Sequence, residues 1–246
     1  MHTPTYNKKT TELVSPQTRL FLVGPPKSGK TYAAVTFPNP TVIDFDSGLT
    51  NKDIREHGIN FLPFYSESFI HDIMKQQNKV NALSLFLKEE APKFTFEQTL
   101  IFDSVSTIGD SLMEDIERRC PITKSGEKDG FWIWKMWSLW WQNFCSRLLD
   151  LKCNVVVIAH EQEVRDSETG KLLAYKWLLK GQDFSPRMAQ FFTDVFRQVK
   201  KSEEANGKIK IEYLWQVHGD TLFPFACTRM NVDTKLVKAN FSSFKY

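Results

Sequence analysis

The sequence predicts an α/β protein: a mostly parallel sheet with helices on both faces, followed by β-hairpins toward the C-terminal end. Three observations predict it. The runs "LFLV", "TVID", "LIFD" and "VVVIA" lack the alternation of a strand with one wet face, so each is expected to be buried on both sides. Helical stretches separate these runs, which is the order that builds a parallel sheet. Beyond residue 160 come short alternating runs punctuated by turn signals, "SETG" and the Asn-Gly of "ANGK".

Taken in order, residues 1–17 read as a flexible polar tail, and a single domain over 18–246 follows it. "TRLFLVG" (18–24) is a buried strand running into a glycine-rich turn. The short helix after it must stop near Phe37, because Pro38 and Pro40 close "FPNP". "TVIDFD" (41–46) is a second strand, turned by Ser47-Gly48. Between 49 and 98, "INFLPFY" suggests a short strand and "NALSLFLKEEA" a helix. "QTLIFD" (98–103) is the third core strand, and Ile108, Leu112, Met113 and Ile116 then recur at helical spacing. "CPITKSGEKDG" (120–130) is a polar loop, "FWIWKMWSLWWQNF" begins a helix ending near Leu151, and "NVVVIAH" (154–160) is the fourth buried strand.

With 246 residues, 41% of them hydrophobic, and with 20 Phe and 7 Trp, the chain can bury one large core. A net charge of +3 permits a nucleic-acid partner only through a local basic footprint. Cys120, Cys145, Cys153 and Cys227 are scattered without CxxC spacing, which argues against zinc and against a disulfide framework. The N-terminus lacks an apolar signal core, and no run approaches the roughly eighteen apolar residues of a membrane span. The expectation is a soluble, cytoplasmic protein with no membrane partner.

"GPPKSGKT" supplies Gly24, Pro25, Pro26, Lys27, Ser28, Gly29, Lys30 and Thr31, which fits GxxxxGK[ST] without a gap. An apolar strand precedes it and a helix follows, as this phosphate cradle requires. The glycines let backbone N–H groups curl around phosphates, and the helix N-terminus adds partial positive charge. Lys30 is expected to reach the β- and γ-phosphates of ATP and Thr31 to ligate Mg²⁺. Asp103, at the end of a hydrophobic strand, is the second magnesium residue, its competing role being an ordinary helix cap.

A glutamate placed directly after such an aspartate would activate water, but here Ser104 follows Asp103. Asp44 and Asp46 end the second strand, and residues two apart in a strand share a face. Ligands sit beyond the carboxyl ends of strands in doubly wound sheets, so an acid at this tip can reach water near the γ-phosphate. Asp46 lies further toward the tip and is the favoured general base, with Asp44 as understudy; turn chemistry before Ser47-Gly48 is the competing role for both. His160 ends the fourth strand and is either a γ-phosphate sensor or a simply hydrogen-bonded histidine. Glu161 and Gln162 are alternatives within one turn.

"GPPKSGKT", "VIDFDSG", "LIFDSVST" and "VVVIAHEQE" occur in that order and at spacings that resemble phage-encoded RecA-like P-loop ATPases, also described as phage nucleotide-binding proteins or AAA-family ATPases, some proposed to anneal single strands. The likeness extends through "LLKGQDFSPRMAQFFTDVFR" to "FACTR". It implies a RecA-like core, ATP and Mg²⁺, single-stranded DNA, and a homo-oligomeric ring or filament, with a single-strand-binding protein as a further partner and the host cytoplasm as the location. In that family a glutamate stands where this chain has Asp46, one methylene shorter.

The resemblance also implies a DNA-contacting segment after the fourth strand. Segment 161–190 supplies Arg165, Lys171, Lys176, Lys180 and Arg187, interleaved with Tyr175, Trp177 and Phe184, so cations could follow phosphates while aromatics stack on bases. Glu161, Glu163, Asp166 and Glu168 in the same stretch support a solvated hairpin instead. Lys200, Lys201, Lys208 and Lys210 form a second basic cluster or a charged exposed edge. Trp134, Trp137 and Trp141 follow helical spacing beside a row of Trp140, Phe144 and Leu148; burial against the sheet explains most of this, and Trp132 with the outer row is the subunit-contact alternative. Arg229 is the candidate basic residue given to a neighbouring subunit's active site. The sequence thus supports an ATPase acting on single-stranded DNA in recombination or replication, and alternatively a nucleotide-dependent switch with little hydrolysis.

Overall fold

Continuous apolar runs become adjacent parallel strands. A computed structural model describes residues 17–49, 58–180, 187–205 and 208–244. In chain order the elements are β1 (Arg19–Gly24), α1 (Lys30–Ala34), β2 (Pro40–Asp44), β3 (Asn60–Pro63), α2 (Lys79–Glu89), β4 (Thr99–Asp103), α3 (Val105–Arg119), α4 (Gly130–Asp150), β5 (Asn154–Arg165), β6 (Leu172–Trp177), β7 (Asp194–Ala205), β8 (Lys208–Gln216) and β9 (Leu236–Lys238). The sheet order is β3-β2-β4-β5-β1-β7-β8-β9, with β6 pairing with β5 off this path. From β3 to β7 every neighbouring pair is parallel, whereas β5–β6, β7–β8 and β8–β9 are antiparallel. This is the expected α/β class with C-terminal hairpins. The expected tail lies, except for Gln17, outside the described residues, as does the Asn206-Gly207 turn.

Alternate strand residues sort onto two faces. Phe21, Val23, Phe102, Val155 and Val157 pack with Leu83, Phe86, Ile108, Leu112, Trp137, Trp141 and Phe144, so α2, α3 and α4 cover one face. Leu20, Leu22, Ile101, Val156 and Ile158 pack with Ala33, Ala34 and Phe37 of the α1 segment and with Trp215 on the other. Phe241 and Phe244 complete this second cover, with ring centroids 4.7 and 5.2 Å from Phe37.

Helices α2, α3 and α4 start where side chains satisfy their free N–H groups, whereas α1 starts at Gly29 without a side-chain cap. Asn78 Oδ1 accepts from Asn81 N at 2.8 Å, Ser104 Oγ from Thr107 N at 3.5 Å, and Asp129 Oδ1 from Trp132 N at 3.0 Å. Trp137, Trp141, Phe144 and Leu148 are buried, so both aromatic rows of α4 serve the core; Trp132 and Trp140 are half-buried, and Phe131 and Trp134 are exposed near the helix start. Burial pushes the Cys145 thiol up to about 12 and the Cys153 thiol up to about 11. No helix among the described residues is long and apolar enough to cross a membrane.

Candidate active site

The turn after β1 lies at the carboxyl end of the parallel strands. Gly29 has φ of 86°, in the left-handed region that favours glycine, and a Cβ there would come within 2.9 Å of the Tyr213 ring. Gly24 is equally constrained, because a Cβ would lie 2.8 Å from that of Gln198. Pro25, Pro26 and Lys27 are exposed at the rim, whereas Ser28 is buried and its hydroxyl has no hydrogen-bond partner. Lys30 Nζ donates to the carbonyls of Gly24 at 3.0 Å and Pro25 at 2.8 Å. Burial lowers the Lys30 pKa, while Asp103, Asp46 and Glu161 oppose that shift.

Thr31 Oγ1 donates to Asp103 Oδ2 at 2.5 Å, so residues 72 apart in sequence meet where α1 begins and β4 ends. Asp103 is buried, and burial raises its pKa to about 6 despite the Thr31 bond and the charge of Lys30; Asp46 and Asp44 push it the same way. A hydroxyl and a carboxylate oxygen are hard donors suited to Mg²⁺, which commonly takes one or two protein ligands and completes its shell with phosphate and water. Among the described residues no cluster of three or more His, Cys, Asp or Glu could hold a metal alone. The orphaned Ser28 hydroxyl, the close-fitting glycines and this donor pair therefore fit a magnesium-bound nucleotide.

Asp44, the last residue of β2, and Asp46, two residues beyond it, stand in different surroundings. The strand ends at Asp44, so Asp46 lies in the bend beyond it and the expected shared strand face does not apply. Asp44 is buried, and its Oδ1 accepts from the backbone N–H of Asp46 at 2.9 Å and of Gly48 at 3.5 Å. It organises the turn, and burial raises its pKa. Asp46 lines a cleft of about 790 Å³ together with Lys30, Thr31, Asp103, Thr107 and His160. Its Oδ2 lies 3.0 Å from His160 Nε2. Burial alone would raise the Asp46 pKa, but hydrogen bonding by His160, Thr107 and Ser104 holds it below the ordinary value. Ser104 is thus a helix cap that also supports Asp46.

His160 is anchored through its backbone N–H, which donates to Ser106 Oγ at 3.0 Å, and its Nδ1 is buried with no hydrogen-bond partner. Sequence reasoning missed Tyr213 beside the cradle and Arg197 behind it. Both sit on the C-terminal hairpin, and only the register of β7 against β1 brings them near Gly24.

The remaining candidates are dispersed. Arg229 is exposed, and its backbone N–H donates to Asp194 Oδ1 at 3.0 Å. Asp194 pairs with Leu20, at the amino end of β1, so Arg229 stands away from its own cradle. Arg165 is tied to Glu163 at 2.8 Å and to the Gly170 carbonyl at 3.0 Å, and Lys180 pairs with Asp110 at 3.1 Å. Lys176 and Arg187 are exposed. The stacking role expected of Trp177 is corrected, because it is buried against Phe21 and Phe225; Tyr175 is half-buried, with Arg197 over its ring. Alternation along β6 turns these residues inward. Phe184 lies outside the described residues. On β7–β8 the register sets Lys201 opposite Glu212 and Lys210 opposite Glu203, in keeping with a charged edge.

A glycine-rich turn between strand and helix, a Thr31–Asp103 hydrogen bond beside it and a cleft at the carboxyl end of a parallel sheet define a P-loop NTPase. The sequence matches the AAA domain family over residues 17–208, and the chain belongs to that family. No curated protein sequence matches the chain. Among solved structures it is similar to the flagellar accessory protein FlaH from Methanocaldococcus jannaschii, with 11% identity, 95% of this chain and 91% of that chain covered, and a TM-score of 0.38. It is also similar to the RadB recombinase (14% identity, 80% and 87% covered, TM-score 0.40). A KaiC-like protein from Pyrococcus horikoshii OT3 gives 14% identity, 81% and 78% covered, and a TM-score of 0.34. Family membership rests on the sequence match.

Proposed function

We propose that the chain hydrolyses ATP with Mg²⁺, using Asp46 as the base that takes a proton from the attacking water. The observation that carries this reading is the convergence of Lys30, the Thr31–Asp103 pair and the Asp46–His160 pair on one cleft. Bound magnesium would supply charge neutralisation on the phosphates. Lys30 would exchange its loop carbonyls for phosphate oxygens, Thr31 and Asp103 would hold the metal, and His160 would report on the phosphate through its bond to Asp46. Arg229 would serve a neighbouring subunit's site in a ring or filament.

The reading extends to single-stranded DNA as the polymer acted on, in phage recombination or replication, with the exposed Lys171, Lys176 and Arg187 as support. A second reading, a nucleotide switch with slow turnover, is favoured by the hydrogen bond that already engages Asp46 and by its short side chain. Single-turnover hydrolysis with and without single-stranded DNA separates them. The ATPase reading expects DNA-stimulated turnover that Asp46→Ala abolishes while ATP still binds. Equal binding without turnover in both proteins would establish the switch. Removing charge at Lys176 is expected to weaken DNA binding and flatten its salt dependence.

A further inference from the structure

His160 and Glu161 are neighbours that face opposite sides of the sheet. Val156 and Ile158 belong to the core on the α1 side, and Val155, Val157 and Ala159 to the core beneath α2–α4. Strand alternation therefore places His160 on the cleft side and Glu161 on the helix side. There the Glu161 carboxylate accepts Arg197 Nε at 2.6 Å and Nη2 at 3.1 Å. The two side chains are only 5% and 17% exposed, respectively. The Arg197 guanidinium lies 3.7 Å from the centroid of the Tyr175 ring, which covers it from β6.

The place of this pair in the sheet gives it a task. β5 and β7 are the two neighbours of β1, with His160 opposite Gly24 and Arg197 opposite Val23. The ion pair consequently bridges β5 and β7 across the point where β1 becomes the phosphate cradle. Pairing of β5 with β1 ends at His160, and pairing with β6 begins at Glu161. Glu161 is the joint between the central sheet and the β5–β6 hairpin. Replacing a buried ion pair with apolar side chains is often neutral for stability, so stability alone is a weak reason for these charges. A two-pronged grip does fix orientation.

We propose that Arg197 is a positioning residue: by gripping Glu161 across β1 it fixes the end of β5 and holds the His160 imidazole against Asp46. The inference rests on the reading of Asp46 as the water-activating base, and its test has an arm that does not. Glu161→Met/Arg197→Met keeps volume without charge, and Arg197→Gln removes the grip alone; whichever variant folds, by its urea midpoint, is informative. Turnover is expected to fall about 10–100-fold with KM for ATP nearly unmoved, because a small misplacement costs rate before affinity. The His160 imidazole N–H signal in a long-range ¹H–¹⁵N spectrum is expected to lose the shift that marks its bond to Asp46. Wild-type turnover and an unchanged His160 signal in a folded variant would overturn the proposal. If the wild-type protein does not hydrolyse ATP, the ATPase reading fails, and the His160 signal still decides whether the grip positions the imidazole.

Discussion

His160 Nε2 and Asp46 Oδ2 lie 3.0 Å apart, joining residues 114 positions apart in sequence across the mouth of the phosphate cradle. The sensor candidate and the base candidate are one hydrogen-bonded unit. A group that disturbs the imidazole therefore also changes the carboxylate.

Asp46→Asn should leave ATP affinity within roughly threefold and reduce turnover by about 10²–10⁴-fold, the usual contribution of a positioned general base. Calorimetric titration with Mg-ATP and a single-turnover assay measure the two quantities separately. A variant that turns over at the wild-type rate would remove Asp46 from the mechanism.

Asp103→Asn should stabilise the nucleotide-free protein while abolishing turnover. The fold favours the neutral carboxyl, whose pKa of about 6 stands above its ordinary 3.8. This group's contribution to stability is thus fully present below about pH 4 and is lost as the pH rises through about 6. At pH 7.5 the asparagine variant is expected to exceed the wild type by about 1–3 kcal/mol, and near pH 4 the difference should vanish. Urea denaturation at the two pH values tests both the size and the sign; a difference that ignores pH would contradict this account.

Gly29→Ala carries two separable penalties. The left-handed backbone disfavours any side chain by about 1–2 kcal/mol, and the new methyl meets Tyr213 at 2.9 Å. In a Tyr213→Ala background only the backbone part should remain, so the double-mutant cycle is expected to be non-additive. Full additivity would mean that the ring moves aside freely.

Arg19 is a buried cation whose guanidinium donates to the Cys153 carbonyl at 2.7 Å, to the Leu151 carbonyl, and to Gln17 Oε1 at 2.7 Å. It ties the end of α4 to β1, where a cation also complements the negative end of the helix. Arg19→Met should cost about 2–4 kcal/mol, because carbonyls are left buried without a donor. Arg19→Lys should recover part of that loss but cannot reproduce the fork. Equal urea midpoints for all three proteins would count against this role.

The core strands were legible because burial on both faces forces continuous apolar runs such as "VVVIA", and the cradle was legible because its chemistry is local in sequence. Asp46 was found for a partly mistaken reason. It does reach the cleft, but from a bend that Asp44 builds, not from a strand face shared with Asp44. Trp177 and Tyr175 misled because interleaved aromatics and lysines look alike whether a hairpin faces solvent or folds back on the core. The Arg197–Glu161 grip could not be read at all. Nothing near either residue announces the other, and only the placement of β5 and β7 on either side of β1 joins them.

Phe241 and Phe244 seal the underside of the segment that follows the cradle, and the Phe241 backbone N–H donates to Thr36 Oγ1 at 2.8 Å. The ribosome delivers Lys30 first and the rings beneath this segment more than two hundred residues later. A nascent chain halted before Asn240 would carry the whole signature motif yet lack the floor beneath it, so the grip on nucleotide should mature only once residues 241–244 have emerged and packed.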